Sequence, residues 1–407
     1  MKLRKKQNAI QNKQEEQHLR NLFYKKMQHI MAVLGDASAY GLLYKQTLLK
    51  MYSTRIRPYK IILPGDKEFK NRSKMLIVLN KMLNDLLHKS IIEFGDRKIK
   101  YSLYDFAVYV ETVHMVWRNV DANCPAIASR FKACFPMFND DFKETRLQAL
   151  MKTSQILDLI AWLYSDCTVE TLRFIPEDTK GSSRAFNSFY NNYVLDQQKV
   201  ETETLEIDGN KRTIYRICVS LNEQFIPLTL TPEELGMKGI LQTFPLKVYI
   251  QMHALERIET RLGKLFRIFH YPHIITAVVK GVAVPTDNKN SFLFPVNIGK
   301  ARVGYFKADV IGDKLLVRTF LFLTNNGTPE GKKLNRLVGL QKADKNYLGI
   351  DKLSTFIQSD IKNDEKLKAL FCEAGCGDLF NLDKNLLGGP GNKELATAQY
   401  IAHFLGI

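Results

Sequence analysis

The chain has 407 residues, of which 45% are hydrophobic and 25% are charged, and its formal net charge is +17 at pH 7. No apolar run reaches the roughly 20 residues that a membrane-spanning helix needs, and the opening Met1-Lys2-Leu3-Arg4-Lys5-Lys6 lacks the apolar segment of a secretory signal. These features exclude a membrane-spanning chain and predict a cytoplasmic protein with a large core and no membrane partner.

The excess of positive charge is the strongest global signal in the sequence. A polyanion that binds such a chain releases counterions for each phosphate neutralised, and this favours association. We therefore expect nucleic acid as the partner, RNA rather than DNA. The charge also leaves two alternatives open, an acidic protein partner and a basic protein with no polyanionic partner at all.

Residues 1–165 carry apolar residues at helical spacing and predict a helical N-terminal domain. The basic segment 1–30 passes into an amphipathic helix, which is either an arm on nucleic acid or an exposed helix end. Long helices are predicted at 69–94, 104–120 and 140–164.

Residues 166–200 are predicted to connect this domain to the next, because Pro, Gly and Ser gather there. Residues 201–330 predict an α+β domain, with a hairpin turn at Asp208-Gly209 and strands at 291–296, 302–311 and 314–324. Helices in residues 331–407 are expected to pack on it. The predicted fold class is α+β, a helical domain followed by a mixed domain with an antiparallel sheet packed on helices.

The segment 244–263 predicts a helix that carries His253, Arg257 and Arg261 at intervals of four residues. This spacing puts the three side chains on one helical face. An imidazole beside two guanidinium groups suits an anionic ligand and adds proton transfer to or from a ribose hydroxyl.

The strands that follow this helix add five further candidates for the same site. They are Arg302, Tyr305, Lys307, Arg318 and Thr319. The strand at 314–324 is mostly apolar, so an arginine inside it is costly unless it meets an anion or a carboxylate.

Each candidate has a plainer explanation as well. Glu256 and Glu259 beside the two arginines are typical of an ordinary salt-bridged helix face. The turn 325–330 before a helix suits a docked phosphate and equally a helix cap. Cys372 and Cys376 lack the further ligands of a structural zinc site, and no glycine-rich phosphate loop occurs, so no metal or cofactor is expected.

A helix with His-x-x-x-Arg-x-x-x-Arg, followed by antiparallel strands that carry Arg and Thr, resembles the RNA-cleaving toxins of the RelE and BrnT type and their barnase-like relatives. The resemblance covers residues 244–324. It implies metal-free cleavage of RNA through attack by the 2′-hydroxyl, with basic residues stabilising the charge that develops on the phosphate.

Carried over to matching residues, the resemblance implies His253 as general acid or base. Arg257 and Arg261 would then hold the phosphate, and Arg318 would stabilise the transition state. Arg302, Tyr305, Lys307 and Thr319 would complete the substrate cleft.

Two hypotheses for function follow. The first is a metal-independent ribonuclease of the toxin type. The second is a non-catalytic nucleic-acid-binding or assembly protein, such as an accessory protein of a phage or mobile element, that uses its basic surface as a scaffold.

Overall fold

The computed structural model divides into two compact units. It describes residues 2–55, 59–64, 72–94, 98–123, 125–138, 141–177, 192–237, 244–263, 270–383, 399 and 401. The first unit comprises residues 1–160 and 174–196, and the second comprises residues 161–173 and 197–407. The α+β fold class is confirmed.

The first unit is mainly helical. Its helices are α1 (Lys2–Leu34), α2 (Lys45–Thr54), α3 (Ser73–Lys89), α4 (Leu103–Asp105), α5 (Glu111–Asn123), α6 (Pro125–Ala133) and α7 (Asp141–Tyr164), and a π-helical turn at Phe106–Val110 joins α4 to α5. Phe94, Phe106 and Phe142 are fully buried and pack ring against ring in its core.

Short strands complete this part of the chain. They are β1 (Lys60–Ile62), β2 (Ile91–Phe94), β3 (Ile99–Ser102), β4 (Glu170–Pro176) and β5 (Asn192–Lys199). Strands β2 and β3 form an antiparallel hairpin, and β5 lies between β1 and β4 in a three-stranded sheet.

Two sequence predictions need correction here. The helix expected over 69–94 ends at Lys89, because Ile92 and Phe94 are buried while Ile91 and Glu93 are exposed, the alternation of a strand. The part of that prediction at 69–71 lies outside the described residues. The connector expected over 166–200 contains β4 and β5, and residues 178–191 of it lie outside the described residues as well.

The second unit is built on a sheet of eight strands. In chain order the new strands are β6 (Thr202–Ile207), β7 (Asn210–Arg216), β8 (Cys218–Leu221), β9 (Gln224–Pro227), β10 (Thr229–Leu230), β11 (Leu246–Gln251), β12 (Val284–Pro285), β13 (Ser291–Ile298), β14 (Ala301–Ile311) and β15 (Lys314–Phe322). The sheet order is β12-β13-β14-β15-β11-β7-β6, with β10 beside β11, and β8 and β9 form a separate hairpin.

The sheet is mixed. Strand β11 runs parallel to β15, whereas the other registered strand pairs of the sheet are antiparallel.

The helix expected over 244–263 starts later than predicted. Residues 246–251 form β11, whose Val248-Tyr249-Ile250 run is buried, and this burial favours β-branched and aromatic residues in a central strand.

Six helices in the described residues of the second unit follow or cover the sheet. They are α8 (Met252–Leu262), α9 (His270–Ile275), α10 (Pro329–Val338), α11 (Lys342–Tyr347), α12 (Leu353–Gln358) and α13 (Glu365–Glu373). Helix α8 packs on β15 and α12, and buries Ala254, Leu255, Ile258 and Leu262 in the main core. None of the helices in the described parts of the chain combines the length and apolarity that crossing a membrane requires.

Candidate functional site

An open cavity of about 460 Å³ lies in the second unit, where α8 meets the strands β14 and β15. Its ionisable lining residues are His253, Arg257, Arg261, Lys307, Arg318 and Lys342. None of the described residues around it is Asp or Glu. The cavity therefore gathers six of the eight site residues predicted from sequence. These are Thr319 and the ionisable residues just named except Lys342, which was not predicted. The lining contains no carboxylate.

Helix α8 supplies three of these side chains. Its buried residues 254, 255, 258 and 262 lie on the core side, which turns His253 and Arg257 towards solvent. Because β11 leads directly into α8, the first turn of the helix lies at the carboxyl end of this central strand. The predicted helical face is thus present, although the helix carrying it is only 11 residues long.

His253 is half exposed and lies between two charged neighbours. The Nε of Arg257 donates to His253 Nε2 at 3.3 Å, and a carboxylate oxygen of Glu256 lies 3.9 Å from Nδ1. Partial burial and the positive charge of Arg257 lower the pKa of His253. A guanidinium N–H can only donate, so Nε2 is the acceptor in this hydrogen bond, and the neutral form of the imidazole carries its proton on Nδ1.

Arg261 is held by a carboxylate and is mostly buried. It donates to the side chain of Asp351 at 2.7 Å and to the Asp351 carbonyl at 3.1 Å. Burial lowers the pKa of Arg261, and Asp351 opposes this effect. The charge of Arg261 is therefore largely balanced by Asp351, although the side chain lines the cavity. We assign Arg261 to anchoring α8 to the segment that carries Asp351.

Arg318 lies at a β-bulge, where β15 has one residue more than β14. Lys307 pairs with Thr319 and Ala308 pairs with Val317, so Arg318 is the extra residue. A regular strand turns adjacent side chains to opposite faces, but this bulge brings both Arg318 and Thr319 to the cavity.

The guanidinium of Arg318 is also paired. It donates to Asp309 at 2.9 Å and to Asp208 at 2.5 Å. Burial works against the charge of Arg318, but the two carboxylates outweigh it and raise its pKa. An anion in the cavity has to compete with these carboxylates for Arg318.

Three cations at the cavity are not paired in this way. Within the described parts of the chain, no carboxylate lies at ion-pair distance from Arg257, Lys307 or Lys342. Arg257 and Lys342 are exposed and Lys307 is half-buried. These three side chains are the cations that can turn to a ligand without breaking an ion pair.

Two predicted residues do not reach the cavity. Tyr305 is buried, donates to Glu330 at 2.8 Å and accepts from Arg302 at 3.0 Å. Burial and the Glu330 carboxylate raise the pKa of Tyr305 to about 12. Arg302 and Tyr305 thus belong to a separate network with Glu330 and do not line the cavity.

The turn after β15 forms the helix cap that the sequence suggested. Thr328 caps α10, since its Oγ1 accepts from Gly331 N–H at 2.9 Å, and the cap prediction is confirmed. Residues 325–327 of the same turn line the cavity. Sequence reasoning named the turn but not the roles of Asn325 and Asn326.

Three other residues at or near the site escaped sequence analysis. Gln251 and Lys342 line the cavity, and the buried Lys345 lies behind the turn. No local pattern marks Lys342 or Lys345, because each follows the ordinary polar composition of α11. Gln251 is recognisable only once the end of β11 is known.

The described residues hold no group of three or more His, Cys, Asp or Glu side chains arranged to bind a metal ion. Cys376 is buried and Cys372 is exposed, both as free thiols. The chemistry that the cavity offers on its own side chains is therefore positive charge, hydrogen-bond donors and one imidazole.

No protein-family model, no curated protein and no solved structure matches this chain.

Proposed function

We propose that the cavity binds the phosphate backbone of nucleic acid, and of RNA in particular. The observation that carries the proposal is the meeting of Arg257, Lys307 and Lys342 around one opening whose described lining has no carboxylate. Unpaired cations at a concave surface attract phosphate, and each phosphate they neutralise releases counterions. The net charge of +17 strengthens the attraction at longer range.

RNA is favoured over DNA because His253 stands among these cations. A neutral imidazole with an accepting Nε2 can receive a hydrogen bond from a 2′-hydroxyl, which DNA lacks. A nucleic-acid partner also agrees with the cytoplasmic location that the sequence predicts.

The binding proposal is tested with short fluorescein-labelled RNA and fluorescence anisotropy. We expect Arg257→Gln and Lys307→Gln each to weaken binding by about tenfold and to lower the slope of log affinity against log salt by about one. Lys333→Gln is the matched control, because Lys333 is an exposed residue of α10 that does not line the cavity. Equal losses in all three variants would overturn the assignment to this cavity.

Cleavage of the bound RNA is the second candidate, and the position of His253 favours it. Its Nε2 would accept the proton of the 2′-hydroxyl, the 2′-oxygen would attack phosphorus, and the 5′-oxygen would leave with a proton from water. The products would be a 2′,3′-cyclic phosphate and a 5′-hydroxyl end. The phosphate has to draw Arg257 away from Nε2 first, because the two groups are hydrogen-bonded.

Incubation with RNA in EDTA separates the two candidates. If the protein is a ribonuclease, the wild type should cleave RNA and leave the same oligonucleotide with 2′-deoxy sugars intact. The rate of cleavage should fall about 100-fold in the His253→Gln variant. Binding without cleavage would support the non-catalytic scaffold instead. Cleavage that persists unchanged in His253→Gln would contradict the proposed role of this imidazole.

A further inference from the structure

The amide groups of Asn325 and Asn326 have a fixed orientation at the wall of the cavity. The Oδ1 of Asn325 accepts from the backbone N–H of Phe322 at 2.7 Å, and the Oδ1 of Asn326 accepts from the ammonium of Lys345 at 2.5 Å. A backbone N–H and an ammonium can only donate. Both side-chain oxygens are therefore committed to the protein, and the NH₂ groups are the ends left for a ligand.

The two amide nitrogens are accessible. Both residues line the cavity, neither Nδ2 donates a hydrogen bond within the described residues, and neither is among the buried polar atoms without a partner, so each has some contact with solvent. Together with Arg257, Lys307 and Lys342 they give the cavity a wall of donors. The acceptors among the described side chains in that wall are the hydroxyl of Thr319, the amide of Gln251 and the Nε2 of His253, and Arg257 already donates to this Nε2.

Lys345 holds this arrangement in place. It is buried in α11, and its Nζ donates to Thr324 O at 2.8 Å and to Gly331 O at 3.1 Å in addition to Asn326. Its three protons are thereby used on oxygens on both sides of the turn. The charge-assisted bond to Asn326 keeps the amide from turning its oxygen towards the cavity.

A cavity wall made mainly of hydrogen-bond donors distinguishes oxyanions that carry an O–H group from those that do not. A phosphodiester or sulfate has only acceptor oxygens, so each oxygen can meet a donor. Hydrogen phosphate carries a P–OH, which needs an acceptor, and acceptors are few in this wall compared with N–H donors. A polar group left unpaired in a binding site lowers affinity by about tenfold or more.

We infer that the cavity selects a proton-free oxyanion, the phosphodiester inside a nucleic-acid chain, over hydrogen phosphate, and that Asn325 and Asn326 set this selectivity with Lys345 as the positioning residue. The inference rests on the proposed function, because it specifies which form of phosphate the cavity takes. It adds that a free phosphate would be a poor ligand although it is an anion.

The experiment uses the full chain with labelled RNA bound. Sulfate and hydrogen phosphate are compared as competitors at constant ionic strength, at a pH far enough above the second pKa of phosphate for both to be dianions. We expect sulfate to displace the RNA at about a tenfold lower concentration than hydrogen phosphate. Equal competition by the two ions would overturn the inference without any variant.

Three variants locate the selectivity. Asn326→Asp replaces the exposed NH₂ by an acceptor of the same shape and should bring the sulfate-to-phosphate preference to about one or below. Lys345→Met should also lower the preference, because the amide is then free to turn. Asn346→Asp is the control for added negative charge, since Asn346 is exposed on α11 outside the cavity, and its preference should match wild type.

The outcomes separate the inference from the proposed function. If wild-type protein fails to bind RNA, the proposed function falls, and the inference falls with it. RNA binding without a preference for sulfate removes only the inference. An unchanged preference in a folded Asn326→Asp variant would show that Asn326 does not set it.

Discussion

The cations at the cavity fall into two groups that only their neighbours distinguish. Arg261 and Arg318 are tied to Asp351, Asp208 and Asp309, whereas Arg257 and Lys307 have no carboxylate partner among the described residues. Ion pairing lowers the electrostatic attraction that a cation offers to a ligand. The transition-state role predicted for Arg318 therefore depends on an anion displacing the carboxylates.

Removing one of these carboxylates should strengthen anion binding. Asp208 is largely exposed, so Asp208→Asn is expected to leave folding intact while freeing one side of Arg318. We expect RNA affinity to rise about three- to tenfold, because a unit of negative charge near the cavity is lost as well. Anisotropy titration measures the change.

The control for this variant is Asp287→Asn. Asp287 is also an exposed carboxylate in an ion pair, with Lys332, and it lies outside the cavity lining. A gain of the same size in both variants would mean that net charge alone is responsible and that Arg318 takes no part.

The pH dependence of binding should report His253. The charged groups that act on it are Glu256, Arg257 and Arg212, and with partial burial their net effect lowers its pKa. Protonation adds a positive charge to the cavity, so RNA affinity is expected to rise as the pH falls below the ordinary histidine value of about 6.5. The rise should be absent in His253→Gln.

The same lowered pKa acts on stability with the opposite sign. The unfolded chain binds this proton more tightly than the folded chain, so the contribution of His253 to stability decreases as the pH falls through both pKa values. Urea unfolding of wild type and His253→Gln between neutral and acidic pH measures the difference. A smaller decrease in wild type than in the variant would contradict this sign.

At the level of elements, the turn between β15 and α10 couples the cavity to the fold. Thr328 is fully buried, its Oγ1 accepts from Gly331 N–H, and its single hydroxyl proton lies within reach of the carbonyls of Leu323 and Asn325. The helix cap therefore also fixes the backbone of the turn that lines the cavity.

Thr328→Ala should lower the free energy of unfolding by about 1–2 kcal/mol, because the first turn of α10 loses its cap and the carbonyls of Leu323 and Asn325 lose the hydroxyl proton that they share. Denaturant unfolding followed by circular dichroism measures the loss. Thr328→Ser keeps the hydroxyl and loses only a buried methyl group, so its loss should be smaller. Equal stability of the Ala and Ser variants would rule out the cap as the source.

Element boundaries illustrate what local pattern can and cannot decide. The face of α8 with His253, Arg257 and Arg261 followed directly from four-residue spacing. The strand β11 in front of it was missed, because a short apolar run is compatible with both helix and strand until its neighbours are known. Its parallel pairing with β15 supplies the missing information.

At the level of the whole molecule, the net charge of +17 attracts polyanions independently of the cavity. A variant in which Arg257, Lys307 and Lys342 are all replaced by Gln removes only three of these charges. We expect it to retain weak RNA binding at low salt and to lose measurable binding near about 150 mM salt, where surface charges are screened within about 8 Å.

A salt titration of wild type and the triple variant measures this difference. The wild type should still bind RNA at physiological salt concentrations, because the several cations of a concave site act on the ligand over short distances, where screening by salt is weak. Parallel curves for the two proteins would show that overall charge, and not the cavity, accounts for the binding.

The sequence by itself determined the features that depend on near neighbours along the chain. These are the α+β class, the polar face of α8, the hairpin turn at Asp208-Gly209 and a helix cap in the turn 325–330. Periodicity and turn chemistry act over a few residues, so one sequence is enough to read them.

Only the tertiary structure decided which of the predicted residues share a site and which cations are free. Asp208 lies 110 residues from Arg318 and Asp351 lies 90 residues from Arg261, and the bulge at Arg318 exists only in the pairing of β14 with β15. Such contacts arise from folding over long separations, which periodicity does not encode. The charge of each guanidinium was known from the sequence, but its availability depends on what the fold brings beside it.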